Sequence, residues 1–283
     1  MLDLSDAFPH AMKRRPPPLA SPKPRGGVRL SLFVALWAVV GCSPGKDPEA
    51  REKELAYLRA LMPEESLPLA HVEVPGLENI AVLGKGEEEP YLGLRLFPGQ
   101  KKRNGGVRAE VSVDVPHQEG DTMRYEWRFR VPADFQSDAP RNRWWIIGQW
   151  HDQPDTSRGE TWEGFPSRSP PVLIGIGELD GRLAIGIEYG PTQADKRGPL
   201  FIERDRWHHI ALVIHWSQKA EGKAEVFFDD PVRPIYTFTG ANMHNGFQHY
   251  LKLGMYRHPE ITTDNWIHLA GLKITRVTKP ASP

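Results

Sequence analysis

Three short runs in this chain carry the residue types that could do chemistry. The longest is Tyr250-Leu251-Lys252-Leu253-Gly254-Met255-Tyr256-Arg257-His258. Leu251, Leu253 and Met255 share one parity, while Tyr250, Lys252, Tyr256 and His258 share the other. Successive side chains of a strand point to opposite faces, so one face is apolar and the other carries two phenols, an amine and an imidazole. Hydroxyl-bearing aromatics beside a cation suit a site for an anionic sugar. An amphipathic strand with a wet outer face shows the same alternation, and this run alone does not decide between them. The other two runs have a similar form. Arg108 and Glu110 lie two apart, as do Gln149 and His151, with Trp150 facing away. Taken singly, the first pair reads as a same-face ion pair and the second as buried hydrogen-bonding groups. If all three strands turn these faces into one concave sheet surface, the pairs converge.

The elements that must position them are strands. Val107 to Val115 alternates, with Val107, Ala109, Val111, Val113 and Val115 against Arg108, Glu110, Ser112 and Asp114. Arg124 to Val131 alternates again. Further strands are predicted at Trp144–His151, Pro171–Glu178, Arg182–Tyr189, His208–Trp216, Ala224–Asp229, Tyr250–Tyr256 and Trp266–Val277. Turn signals separate them at Gly105-Gly106, Asp180-Gly181, Glu221-Gly222 and Asn245-Gly246. Many short strands with turns at modest intervals indicate an all-β sandwich. Residues 152–170, rich in Gly, Pro and Ser, read as a long surface loop of the kind that rims a groove.

The chain has 283 residues and a formal net charge of zero, so nothing global suggests nucleic acid or a membrane surface as partner. Any attraction for a polyanion must come from a local patch. Residues 1–42 read as a leader. Lys13, Arg14, Arg15, Lys23, Arg25 and Arg29 precede an apolar run, Leu30 to Val40. That run is too short to span the roughly 30 Å of a bilayer core as a helix and has the length of a signal-peptide core. Val39-Val40-Gly41-Cys42 resembles a bacterial lipobox. Cys42, the single cysteine, is then the lipidated residue, and Ser43 after it resembles the outer-membrane sorting pattern. The expectation is an exported outer-membrane lipoprotein, on the periplasmic or cell-surface face, touching the membrane through its lipid alone. Met12 is an alternative start to Met1. Residues 43–70 then form a tether and one amphipathic helix, opened by Asp47-Pro48 and running to about Met62 before Pro63. It is expected on the outside of the main domain, residues 71–283, without a functional role.

Together the runs carry a resemblance. Arg108-Ala109-Glu110-Val111, Gln149-Trp150-His151 and Tyr250 to Tyr256 resemble, in order, the R-x-E-L, Q-x-H and Y-x-K-x-G-x-Y motifs of jelly-roll polysaccharide lyases of the alginate-lyase type. Arg108 to Lys279 also resembles the heparin lyase I and glucuronan lyase type, with Trp207-His208-His209 and Phe238-Thr239-Gly240 fitting that group. Ala109 and Val111 depart from the alginate-lyase pattern, as does Arg257-His258 where Asn-Gln is usual. Both departures lean toward the heparin- or glucuronan-lyase branch.

The resemblance implies a concanavalin-like β-jelly-roll that cleaves a uronate polysaccharide by β-elimination. The proton on C5 of a uronate is hardly acidic while the adjacent carboxylate is charged, so groups that neutralise that carboxylate stabilise the enolate-like transition state. The resemblance assigns this to Gln149 with Arg108, the base to His151 and the acid to Tyr256. Tyr256 could also serve as base if elimination is syn. Lys252, Tyr250 and His258 are expected to contact substrate, Glu110 to orient Arg108, and Arg257, which strict alternation points away from the polar face, to reach substrate only if the strand ends there. No cofactor is required by this chemistry. A structural Ca²⁺ is compatible with such folds, but the sequence shows no ligand set for it. His208, His209 and His215 sit in an alternating apolar strand and are read as structural, so no metal site is assigned. Oligomeric state is not set by the sequence.

Two other classes compete. A carbohydrate-binding jelly roll would bind the sugar without cleaving it. A glycoside hydrolase needs two placed carboxylates. Glu178-Leu179-Asp180 is the nearest acidic pair, but Asp180-Gly181 reads as a turn.

Overall fold

A computed structural model describes residues 47–86 and 89–278. The leader, Cys42 and the start of the tether lie outside the described residues. The described chain opens on α1 (Pro48–Leu58) and continues through β1 (Ala70–Glu73), β2 (Ile80–Leu83), β3 (Tyr91–Leu96), β4 (Val107–Val113), β5 (Thr122–Arg130), β6 (Trp145–His151), β7 (Val172–Leu179), β8 (Arg182–Tyr189), β9 (Asp195–Phe201), β10 (His208–His215), β11 (Lys223–Phe228), β12 (Tyr236–Thr239), β13 (Tyr250–Arg257) and β14 (Asn265–Arg276). Two seven-stranded sheets result, in the orders β1-β4-β13-β6-β7-β8-β9 and β12-β11-β10-β5-β14-β3-β2. Every pairing is antiparallel. Consecutive strands repeatedly change sheets, giving the jelly-roll sandwich that the alternating sequence predicts.

The core lies between the sheets. From the first sheet it receives Ala109, Val111, Trp150, Leu251, Leu253 and Met255, all essentially without exposure, and from the second Tyr125, Trp127, Phe129, Leu212 and Leu269. Trp150 sits edge-on to Tyr125 at 5.3 Å between ring centroids. Because alternation is strict, committing Trp150 to the core commits Gln149 and His151 to the opposite face.

Nine strands lie where the alternation puts them, within a residue or two. Five others were not read from the sequence. β1, β2 and β12 have four residues each, too few for a period to stand out. β9 carries Gly198-Pro199 and three charged residues. β3, whose Leu92, Leu94 and Leu96 all point into the core, did carry the signal.

The helix is shorter than expected. It ends at Leu58, and a two-turn 3-10 stretch, Glu64–Leu69, precedes β1. Leu58, Leu61, Met62, Leu67 and Ala70 enter the sandwich core, so residues 47–70 are continuous with the rest of it. Arg51 donates to the carbonyls of Leu67 and Ala70, and Glu54 accepts the Val72 N–H at 2.7 Å. Val72 belongs to β1, an edge strand, and this carboxylate occupies one of its backbone donors. The helix thus fixes the position of β1.

Gly254 sets the register of β13. Its φ is +143°, and a Cβ there would lie 2.2 Å from the carbonyl oxygen of Ala109 on β4. The pairing with β6 shifts between Leu253 and Tyr256 while the pairing with β4 stays continuous. Gly254→Ala should therefore cost more than about 2 kcal/mol through backbone strain and overpacking, read as a lower urea midpoint. A midpoint at the wild-type value would contradict this account of the glycine.

Candidate active site

The three motifs lie on three adjacent strands, β4, β13 and β6. Tyr256 stands opposite Arg108, Lys252 opposite both Ser112 and Gln149, and Tyr250 opposite His151. Their outward side chains floor a cleft of about 430 Å³ lined by Asn104, Arg108, Trp144, Gln149, His151, Tyr250, Lys252 and Tyr256. One wall is the loop 152–170, which contributes Trp162, Phe165 and Arg168. The convergence expected from parity is present, and the loop rims the groove.

The floor is a network of paired charges. Gln149 Nε2 donates to Glu110 Oε1 at 2.6 Å. The other oxygen of Glu110 lies 3.4 Å from Arg108 Nη1. Glu110 is 1% exposed, so both contacts act where water does not compete. The sequence-based expectation gave Glu110 one partner, Arg108; in the structure it also holds the Gln149 amide. Arg108 stacks over the Tyr256 ring, its guanidinium carbon 4.3 Å from the centroid. Burial works against the charge on Arg108, but Glu110, Tyr256 and Glu73 outweigh it and raise its pKa above the ordinary value. Tyr256 donates its hydroxyl to the carbonyl oxygen of Asn104 at 2.5 Å. Burial pushes the Tyr250 hydroxyl up, which keeps it a neutral donor. His151 turns Nδ1 toward Asp152, 2.9 Å from its carbonyl and 3.0 Å from its carboxylate.

Glu73 was not recognised in the sequence. It comes from β1, next to β4, and accepts from Lys252 Nζ at 2.7 Å and from Arg108 Nη1 at 3.4 Å. No motif marks it, and its strand is only four residues long. Trp144, Trp162, Phe165 and Arg168 were also missed as individual side chains, although their strand and loop were anticipated. Trp162 is 61% exposed and edge-on to Tyr250, an arrangement in which a sugar ring can lie against indole.

Two expected contacts are corrected. β13 runs through Arg257, so alternation turns that side chain inward. Arg257 is 0% exposed, lies over Trp145, and donates to Thr263 Oγ1 and the Thr263 carbonyl. Burial lowers its pKa to about 10. It packs against Trp145 and Thr263 and does not line the cleft. His258 follows the strand and packs against the outside of Trp144, its ring centroid 5.8 Å away, and it does not line the cleft. Neither of the two side chains expected to contact substrate lines the cleft. His208 is buried against Asp229 and the Glu203 N–H, and His215 meets Thr122; both stitch the second sheet. Glu178 accepts from Ser137 and Asp180 occupies a turn, away from the cleft. Among the described residues no group of three or more His, Cys, Asp or Glu is placed to hold a metal ion.

The fold is thus a β-sandwich with a polar, aromatic-walled cleft on one sheet. A family model described as polysaccharide lyase matches residues 83–273, more than half of the chain, and the chain belongs to that family. No curated protein matches it. Among solved structures, an endo-β-1,4-glucuronan lyase from the fungus Trichoderma reesei is similar at 17% identity and a TM-score of 0.51, over 72% of this chain and 86% of that one. An alginate lyase, A1-II', is similar at 12% identity and 0.51, over 75% and 96%. The catalytic domain of a glycoside hydrolase family 131 protein from Coprinopsis cinerea is similar at 10% and 0.52, over 73% and 82%. At these identities the likeness is one of fold.

Glu73 generates a prediction. Burial pushes its carboxyl up, but Lys252 and then Arg108 outweigh this and hold it below its ordinary value of 4.5. A depressed pKa contributes stability that is present above the unfolded value and lost as pH falls through the folded one. The urea-midpoint difference between wild type and Glu73→Gln should be constant near neutrality and shrink below about pH 4. Turnover of Glu73→Gln should fall roughly tenfold, because Lys252 and Arg108 lose their common anchor. A pH-independent midpoint difference with unchanged turnover would remove Glu73 from the site.

Proposed function

We propose that this polysaccharide lyase cleaves a uronate-containing polysaccharide by β-elimination. The observation that carries this reading is the Gln149–Glu110–Arg108 network, which presents an amide and a guanidinium at one point of the cleft floor. Both groups can neutralise the carboxylate beside C5. His151 takes the C5 proton, its electron pair becomes the C4–C5 double bond, the C4–O4 bond breaks, and Tyr256 protonates the leaving O4. The product carries an unsaturated uronate at its new non-reducing end. The chemistry uses protein side chains and calls for no cofactor, and a structural Ca²⁺ stays compatible with it. The protein acts as an exported lipoprotein anchored through Cys42.

A second assignment of the proton steps has its own support. His151 stands opposite Tyr250, six positions along β13 from Tyr256, whereas Arg108 lies directly over the Tyr256 ring. A cation so placed favours the phenolate, which suits Tyr256 as both base and acid in a syn elimination. His151 then binds the substrate.

Charge matching narrows the substrate. The three cleft cations, Arg108, Lys252 and Arg168, each face a carboxylate, from Glu73 and Glu110, Glu73, and Asp152 respectively. A cleft so nearly balanced suits a polymer with one carboxylate per sugar better than a heavily sulfated chain, which would need unpaired cations. This favours an unsulfated uronan over heparin.

A panel of glucuronan, alginate, hyaluronan, heparin and heparan sulfate, followed by the ultraviolet absorbance of the C4–C5 double bond, tests the reading. Glucuronan or alginate should give the highest rate and heparin the lowest. Gln149→Ala and Tyr256→Phe should each lower turnover at least a hundredfold with the fold retained. His151→Ala should do the same if it is the base, and only raise KM if Tyr256 does both. Binding without absorbance would indicate a carbohydrate-binding protein, and saturated ends a hydrolase.

A further inference from the structure

Asp152 follows the Gln149-Trp150-His151 motif and belongs to none of the motifs. Its carboxylate is 0% exposed. Neither oxygen has a hydrogen-bond donor of good geometry among the described residues. Instead, Oδ1 lies 3.0 Å from His151 Nδ1, and Oδ2 lies 3.0 Å from Arg168 Nη2. A buried carboxylate is costly unless opposite charge compensates it, and these two side chains are what face it.

We propose that Asp152 is a positioning residue. It fixes His151 in the tautomer with Nδ1 protonated and Nε2 bare toward the cleft, and it strengthens that ring as a proton acceptor. Arg168 shares the carboxylate and moderates the effect. The tautomer follows from inventory. Nδ1 faces two oxygens of Asp152, the backbone carbonyl at 2.9 Å and the carboxylate at 3.0 Å. Both only accept, so the proton must be on Nδ1. A proton arriving at Nε2 gives an imidazolium next to a buried anion, which favours the charged ring.

Burial pushes the Asp152 carboxyl up, but His151 and Arg168 outweigh it and hold it below its ordinary value, so the anion persists at neutral pH. Other charged or titratable groups also face His151. Tyr250 and Lys252 come from β13, with the Tyr250 ring 5.9 Å away. Arg168 comes from the rim loop and His244 from the segment before β13. The His244 imidazole, lowered by burial, bonds the Ser169 carbonyl of the same rim loop. Among the described residues, Asp152 is the single anion in direct contact with the ring. Arg168 also ties this pair to the wall, since it lines the cleft beside Phe165. The rim loop therefore reaches the floor histidine through one shared carboxylate.

The inference rests on the lyase reading with His151 as the base only for its kinetic consequence, and its main test does not use activity. Long-range proton–nitrogen NMR of the full chain with labelled histidine reads the tautomer and the pKa of His151 directly, the signal being assigned by its loss in His151→Gln. The wild-type ring should be protonated at Nδ1. Relative to wild type, Asp152→Asn should move the measured value down and Arg168→Gln should move it up. On whichever panel polymer the wild type cleaves, Asp152→Asn should lower kcat at least tenfold with KM changed less than about threefold. Its acid limb should shift in the direction of the NMR value. A wild-type ring protonated at Nε2, or a pKa that neither variant moves, would overturn the proposal; the wild-type tautomer and Arg168→Gln decide it even if Asp152→Asn does not fold. Cleavage of no polymer would count against the lyase reading alone and leave the imidazole result to stand or fall on its own.

Discussion

Glu110 is a carboxylate with almost no access to water, held between the amide of Gln149 and the guanidinium of Arg108. The site depends on that arrangement. A buried anion must be compensated, and here its two compensating groups are the ones that aim positive character into the cleft. Because β4 and β6 lie on either side of β13, the contact also spans the three motif strands. Gly254 permits it by letting β4 and β13 approach more closely than any side chain would allow. The geometry of the cleft floor and that of the sheet are therefore one constraint in this protein.

Support for the floor continues outward in layers. Glu73 anchors Lys252 and Arg108 from the edge strand β1, and α1 holds β1 in place through Glu54 and Arg51. On the far side, Asp152 joins His151 to Arg168 of the rim loop. Each cation in the cleft is thus positioned by an anion, which fixes direction at the expense of net charge.

Much of this was legible in the sequence, for a physical reason. Period-two alternation reports which face of a strand is buried, and it put Arg108 with Glu110, Gln149 with His151, and Lys252 with Tyr256 on the outward faces of their own strands. The same rule turns Arg257 inward, and the structure follows it because β13 runs through that residue. What alternation could not report is which strands become neighbours. Glu73 sits on a four-residue strand 35 positions before Arg108 and 179 before Lys252, and only the sheet order brings them together. Trp144, Trp162 and Arg168 were hidden differently, because side chains at strand ends and on loops follow no period. The helix was visible from its cap and apolar spacing, but its hold on β1 depends on tertiary contacts that spacing does not encode.

The central claim is that the bond is broken by elimination rather than by water. Digestion of glucuronan or alginate in water enriched in heavy oxygen, with mass spectrometry of the released oligosaccharides, tests it most directly. Elimination leaves O4 on the departing fragment and takes no oxygen from solvent, so the products should carry no heavy oxygen beyond slow exchange at the reducing end and should contain an unsaturated terminal residue. One solvent oxygen built into each cleaved bond, with saturated ends, would contradict it.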